Sequence, residues 1–562
     1  MLNNGVMFQF FSWFLPTDAS IQGSNPLWVF LEKQAANLSK AGITAVWIPP
    51  AYKGWGGTGN NVAGTVGYDV YDHFDLGEFP DNNEFGGSTP ARTKYGDKAQ
   101  LKSAIDELHN QNIQVYADIV INHKFGGQAD GTFWQAVRVE PEDRNYLRFG
   151  SGFEEGIIDV EAYTSFNFPA RSDKYSSFKW QVWHFDGFDS FKTIRQNGAE
   201  WKQENESRSY LYFPLFNDPG WNPPEKSFES WVSLEKGNYD YLTGNDLDFD
   251  RFDVREEMKY WGQWFVDEVD LDGFRIDAVK HISADYIREW LGHIRAKTKT
   301  DKPLFAVGEY LDGNTTALHD YVTRVSATGS FPQSISLLDF PLYNKLKAAS
   351  NNNENYSLAE LNRGTFMAEQ PALAVTFVEN HDYEFGRDPN SHVKDWFKPL
   401  AYTYILLRDK GYPCIFFADY YGSDPNSEYN VYPSGQNYID ILLKLRSQFA
   451  LGEEWYFEDN NIVGWLRNGF VPGAKGAMAA VICNSPGGTV NSIRMNTGRK
   501  NRKFYHFATL KLFDNKFVVA RGPYGLFGDR AGEIWTDFNG SGEFLAEGRT
   551  ASIWLEEDAV LD

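Results

Sequence analysis

Cysteine is nearly absent: Cys414 and Cys483 are the only two in 562 residues, too few for a disulfide framework. Cys414 lies in the apolar run Tyr412–Phe417 and Cys483 in a distant strand-rich segment, which reads as two buried free thiols and suits a reducing compartment. No run reaches the roughly 18 apolar residues of a membrane helix. The opening Leu2-Asn3-Asn4-Gly5 carries no basic or long apolar leader. Positive charge is in short supply. Fifty-three basic residues face 76 acidic ones, and the net charge of −23 argues against DNA, RNA or an anionic membrane as partner. Missing too are a phosphate-cradling P-loop, a dinucleotide-type glycine motif and zinc-type Cys/His spacing. These absences leave a monomeric cytoplasmic protein acting on an uncharged partner, with a secreted mature form as the alternative.

Aromatic residues, by contrast, reach 16%. Most belong in cores, and the remainder suit a cleft in which flat ring faces stack on sugars. Short β-branched runs alternate with longer runs of helical period, the pattern of βα units around a parallel sheet. Strands are expected at Val6–Phe11, Ile43–Ile48, Ile113–Ile121, Gly273–Asp277, Leu304–Glu309, Ser334–Phe340, Ala374–Val378 and Pro413–Phe417. Helices are expected at Leu27–Lys40, Ala99–Asn110, Val254–Glu268, Ala284–Lys297 and Pro399–Asp409. The rhythm breaks from about Lys124 to Lys236, too long for a loop within one βα unit. It ends after about Trp455, where alternating segments with Gly-rich turns take over. The expected fold is therefore α/β: a (β/α)8 barrel over 1–123 and 237–454, an irregular β-rich insert over 124–236 after strand 3, and a C-terminal antiparallel β-sandwich over 455–562.

Barrel enzymes carry their reactive groups at the C-terminal ends of strands. Three expected strands end on a carboxylate: Asp277 after Gly273-Phe-Arg275-Ile, Glu309 after an apolar run and Gly308, and Asp382 after Phe377-Val-Glu-Asn380-His381. Side chains alternate along a strand, so Arg275 shares a face with Asp277 and would hold it ionised. Burial behind Gly308 would raise the pKa of Glu309 towards that of a working acid. A single Asp or Glu past a strand is usually a turn or cap residue. Three at one barrel mouth, with an arginine and histidines among them, point to paired-carboxylate chemistry.

Four segments occur in order across the chain: Asp118-Ile-Val-Ile-Asn122-His123, Gly273-Phe-Arg275-Ile-Asp277-Ala-Val-Lys280-His281, Gly308-Glu309-Tyr310 and Phe377-Val-Glu-Asn380-His381-Asp382. They resemble the four signature regions of the α-amylase family of glycoside hydrolases. The stretch Val66-Gly-Tyr68-Asp-Val-Tyr-Asp72 and the segment Trp396-Phe-Lys-Pro-Leu-Ala-Tyr402 extend the likeness over residues 1 to about 425, nearest the bacterial liquefying and intracellular type.

The resemblance implies endo-acting, retaining hydrolysis of α-1,4 bonds in starch, glycogen and maltooligosaccharides. Asp277 would be the nucleophile, Glu309 the acid/base and Asp382 the transition-state stabiliser. Tyr68, His123, Arg275, Lys280, His281 and His381 would bind substrate. It also implies a structural Ca2+ held by Asn122, Asp240, Asp246 and the backbone carbonyl of His281. Asp186 and Asp248 are candidates for a second cation, with Glu229 where the family usually has Asp. Other departures are Glu379 for Asp, Tyr383 for Thr and Leu311 for Trp. They touch the cleft beyond the cleavage point, so a maltooligosaccharide-forming exo-enzyme or a transglycosylase is the alternative activity. A non-catalytic glucan-binding barrel is the remote one.

Overall fold

Eight short strands close into a parallel barrel in chain order: β1 (Met7–Gln9), β2 (Ala45–Ile48), β3 (Gln114–Ile119), β4 (Gly273–Ile276), β5 (Phe305–Gly308), β6 (Ser336–Leu338), β7 (Ala374–Phe377) and β8 (Tyr412–Phe416). β1 pairs with both β2 and β8, which closes the ring. This is a computed structural model describing residues 4–15, 26–57, 66–82, 88–89, 91–139, 144, 154–203, 211–215, 227–299, 302–326, 334–387, 391–422, 433–521 and 532–557.

A helix follows each strand: α1 (Leu27–Ala41), α2 (Lys98–Asn110), α3 (Phe252–Val269), α4 (Ala284–Lys297), α5 (Thr315–Ser326), α6 (Phe340–Asn352), α7 (Lys398–Leu407) and α8 (Gln436–Gln448). Their boundaries follow cap chemistry. Asp97 caps α2 through a reciprocal box with Gln100, and Gly42 ends α1 in the left-handed conformation, φ 102°. The strand expected at Ser334–Phe340 is shorter than its apolar pattern suggests. Asp339 turns the chain instead, accepting the Leu342 N–H and starting α6 at Phe340.

The insert is an antiparallel sheet. Its spatial order is Ala199–Lys202, Phe191–Gln196, Glu154–Ala162, Trp134–Val139, Leu211–Pro214, Phe185–Phe188, Asn245–Leu247 and His123–Lys124. The last pair joins it to the barrel, because His123 lies just past β3 and pairs with Asp246. Lys124 anchors the junction from inside. Its Nζ contacts His73 Nδ1 at 3.2 Å and lies 5.2–5.5 Å from the rings of Phe166, Phe168 and Trp180.

The C-terminal segment forms a large antiparallel sheet, and a two-stranded sheet (Val490–Asn496 with Ser541–Glu547) covers one face of it. Strand alternation explains both faces. Along Met478–Cys483, Ala479, Val481 and Cys483 join the sandwich core, while Met478, Ala480 and Ile482 join the barrel's core. Helix α7 lies beneath that second face and is buried at every residue, which accounts for its almost unbroken apolar sequence. Cys414 on β8 and Cys483 are both free and buried. Among the described residues, no helix is long and apolar enough to cross a membrane.

Candidate active site

Arg275 organises the C-terminal mouth of the barrel. It is fully buried, and in register with Asp118 on the neighbouring strand β3. Its Nη1 lies 2.9 Å from Asp118 Oδ1 and 2.6 Å from Asp277 Oδ1, and its Nη2 lies 2.7 Å from Glu309 Oε2. The ladder explains why these groups meet. β4 and β5 pair in register, and the Glu309 N–H continues the pairing by donating to Ile276 O at 2.9 Å. Residues one step past each strand, Asp277 and Glu309, thus stand side by side. Ala278 then adopts a left-handed conformation, φ 50°, and its N–H donates to Glu309 Oε2 at 3.3 Å. A bulky residue at 278 would resist that turn.

Burial sets the electrostatics. It pushes Glu309 up to about 7, with Arg275 pulling the other way and Asp277 adding to the rise. Burial likewise raises Asp277 to about 6, again opposed by Arg275. Both carboxyls are thus lifted towards neutral pH, and each carboxylate's charge opposes ionisation of the other, so one of the pair can keep a proton while the other is ionised, as an acid and a nucleophile require.

Asp382 faces the same pocket, a cavity of about 900 Å³ that also holds Asp277 and Glu309. His381 Nε2 lies 3.4 Å from Asp382 Oδ2, and Gln9 Nε2 holds His381 Nδ1 at 3.0 Å. Burial lowers His381 and His123 to about 4, so both rings are neutral at ordinary pH. His123 Nε2 contacts Tyr68 O at 2.9 Å, while its Nδ1 has no hydrogen-bond partner among the described residues. Tyr68 lies parallel to His381, centroids 4.9 Å apart and planes within 3°, and its hydroxyl donates to Asp118 Oδ2 at 2.7 Å. Lys280 and His281 line the same cavity. Lys280 Nζ donates to Leu311 O at 2.9 Å and to Glu235 Oε2 at 2.6 Å, and His281 Nδ1 contacts Tyr239 O at 2.6 Å. All nine catalytic and substrate-binding residues expected from the sequence are in or directly beneath this pocket, with Arg275 beneath it.

Several residues of the site escaped sequence reading. Asp118 is the third partner of Arg275 and also accepts from Trp47 Nε1 at 3.0 Å. It heads one of the four signature-like segments, but nothing in the sequence gave it a role; the register of β3 with β4 pairs it with Arg275. Trp13 stacks near Tyr68 and His381 at 6.2 and 6.3 Å, and Arg387 lies over the Trp13 ring. They come from loops after β1 and β7, where no periodicity marks function.

A second cluster lies where insert and barrel meet. Asp186, Glu229 and Asp240 each offer an oxygen, all within 4.8 Å of one another, and all three are buried. Members of the two expected ligand sets meet in this one cluster. Asp186 and Glu229, from the second-cation set, converge with Asp240 from the first. Asp246 and Asn122 adjoin them, with Asn122 Nδ2 donating to Asp246 Oδ1 at 2.9 Å. Asp248 is close enough to raise the pKa of both Glu229 and Asp240. The segment after His281 is tied in as well, since Ser283 N–H donates to Glu229 Oε2 at 3.2 Å. Burial first, then the neighbouring carboxylates, pushes Asp246 well above the usual carboxylate range. An all-oxygen, acid-rich, buried donor set of this kind fits a hard cation.

A closed parallel barrel that gathers three carboxylates at its C-terminal mouth has the groups that a glycoside hydrolase of the carboxylate-pair type requires. Residues 33–428 match the α-amylase catalytic-domain family, and the chain belongs to that family. It is 41% identical to an α-amylase of Geobacillus stearothermophilus, over 98% of this chain and 87% of that protein. It is 34% identical to the cytoplasmic α-amylase of Escherichia coli (strain K12) over the full length of both. The fold is similar to that of the Geobacillus thermoleovorans α-amylase solved with acarbose, with a TM-score of 0.59, 16% identity and 99% of each chain covered.

Proposed function

We propose that this protein is an endo-acting hydrolase of α-1,4-glucosidic bonds in starch, glycogen and maltooligosaccharides, working by retaining double displacement. The carrying observation is the single Arg275 guanidinium that holds Asp277 and Glu309 together in a pocket shared with Asp382. Such proximity supports the retaining geometry, in which two carboxyl groups stand about 5–5.5 Å apart. Glu309 gives its proton to the glycosidic oxygen as Asp277 attacks the anomeric carbon. The C–O bond to the leaving sugar breaks, and a glycosyl ester forms on Asp277. Glu309, now ionised, takes a proton from water, which attacks the same carbon and frees the sugar with its α configuration. Asp382 accepts hydrogen bonds from sugar hydroxyls beside the neutral His381 and His123, Tyr68 stacks against the ring, and Lys280 and His281 meet the leaving-group side. Proton NMR of the first products from soluble starch should show α-anomers; release of β-anomers would overturn the mechanism.

The domain division that goes with this reading is 1–123 and 237–454 for the catalytic barrel, 124–236 for the insert and 455–562 for the sandwich. The insert's sheet reaches beyond that division to Asn245–Leu247.

Within the same proposal, the buried acidic cluster holds Ca2+, which favours six to eight oxygen ligands from carboxylates and carbonyls. Asp186, Glu229, Asp240, Asp246 and Asn122, together with the His281 carbonyl, are the residues that would hold it. Their place at the junction implies that the ion fastens insert to barrel. EDTA should lower the melting temperature by about 10 °C, with recovery on adding calcium, because a ligand of the folded state stabilises it. An unchanged melt would remove the ion from this reading.

A cytoplasmic location is supported by the two buried free thiols and by the description of the Escherichia coli relative.

A further inference from the structure

Among the charged residues of the pocket that the mechanism above does not use, Arg387 lies against one of its carboxylates. Arg387 lines the cavity with the three carboxylates, its guanidinium 3.4 Å from the centroid of the Trp13 ring. Its Nη2 lies 3.6 Å from Asp382 Oδ1, close enough to feel that charge but too far for a direct hydrogen bond. The side chain is 34% exposed and lines the cavity.

Both members of this stacked pair are positioned by one buried residue. Glu384 Oε1 accepts the Trp13 N–H at 2.6 Å, Oε2 accepts the Ser12 hydroxyl at 2.7 Å, and its backbone carbonyl accepts the Arg387 N–H at 3.0 Å. The loop after β7 is thereby locked to the loop after β1. Stacking fixes the plane of the guanidinium and leaves its edge free, which is how arginine presents a planar fork of donors.

Contacts also place Arg387 along the pocket. Glu309 has Lys280 and Leu311 for neighbours, because Lys280 Nζ binds Leu311 O two residues beyond the acid. Arg387 belongs to the other group, reached from Arg275 through Tyr68, then His381, then Asp382 and Trp13.

We propose that Arg387 is a specificity-determining residue that donates hydrogen bonds to the glucose unit next beyond the cleaved one on the non-reducing side. It works beside Asp382, which accepts from the hydroxyls of the cleaved unit while Arg387 donates to those of its neighbour. This rests on the α-glucan reading above. The test is R387Q and R387K assayed on maltotetraose and on an end-labelled maltoheptaoside, with KM, kcat, bond-cleavage frequencies and melting temperature measured for each. Losing a charge-assisted hydrogen bond made equally in ground and transition states raises KM with kcat held. R387Q is expected to raise KM about tenfold or more with kcat within about threefold. It should also move the favoured cleavage site by one glucose unit and leave the melt unchanged. R387K, which keeps the charge but not the fork, should recover part of the affinity. Unchanged KM and cleavage pattern in R387Q would overturn the assignment, as would a collapse of kcat at constant KM. Wild-type protein inert on every α-glucan would instead sink the functional reading, and this role with it.

Discussion

Glu309→Gln is expected to lower kcat/KM on soluble starch by about 10²–10⁴-fold, the size of a lost general acid. The substitution keeps the shape of the side chain and removes only its proton chemistry. It raises the barrier of the first step, where the glycosidic oxygen must leave as a neutral hydroxyl, and also that of the second, where water loses its general base. A maltosyl fluoride needs no such proton, so on that substrate formation of the Asp277 ester should be far less impaired.

The pH profile gives an independent check. Wild-type activity requires Asp277 ionised and Glu309 protonated. With Asp277 raised to about 6 and Glu309 to about 7, activity should climb through the first value and decline through the second. In Glu309→Gln the alkaline decline should vanish while the acid limb stays. Near-normal hydrolysis of starch, or an alkaline limb that persists, would remove Glu309 from the acid role.

Arg275→Met should be nearly as damaging to activity and considerably worse for stability. The guanidinium is fully buried and is ion-paired to Asp118, Asp277 and Glu309. Taking away one partner of a buried ion pair leaves uncompensated charge, at about 3–5 kcal/mol. Arg275 lowers the pKa of all three carboxylates, so its removal raises them further above their unfolded values. The sign follows from proton binding. A carboxylate with a raised folded pKa favours the folded state below its unfolded pKa, and that advantage is lost as pH rises through the folded value. The variant's deficit should therefore be largest at pH 8 and shrink towards pH 5. Asp277, protonated at neutral pH, could no longer attack, and kcat/KM should drop by about 10³-fold or more. Urea melts at the two pH values and a starch assay would decide the matter. A stability deficit independent of pH would contradict the electrostatic account.

Much of the barrel was legible because its signals are local. Helix α4 occupies the expected Ala284–Lys297, since its apolar spacing lies wholly within one element. The strand ends at Asp277 and Glu309 could be read from apolar runs stopped by a charge. Asp339 shows the limit of that logic. It too is a carboxylate ending a barrel strand, yet its oxygens accept N–H groups of Leu342, Phe366 and Met367, and its work is to cap chain turns. Its place after an apolar strand does not separate it from Asp277. The separating fact is Arg275 two residues earlier, and even that needed Asp118 and Glu309 beside it.

The sequence by itself determined the alternation of strands and helices, the positions of the carboxylates at strand ends and membership in the family. All of these are written in short-range patterns of two, three or four residues. Tertiary structure alone brought Asp118 and Glu309 to the guanidinium beside Asp277, gathered the acids of the cation cluster, and made the loops after β1 and β7 meet to present Trp13 and Arg387. These are contacts between residues tens to hundreds apart, set by barrel closure and strand register, and neither quantity is encoded at any one position in the chain.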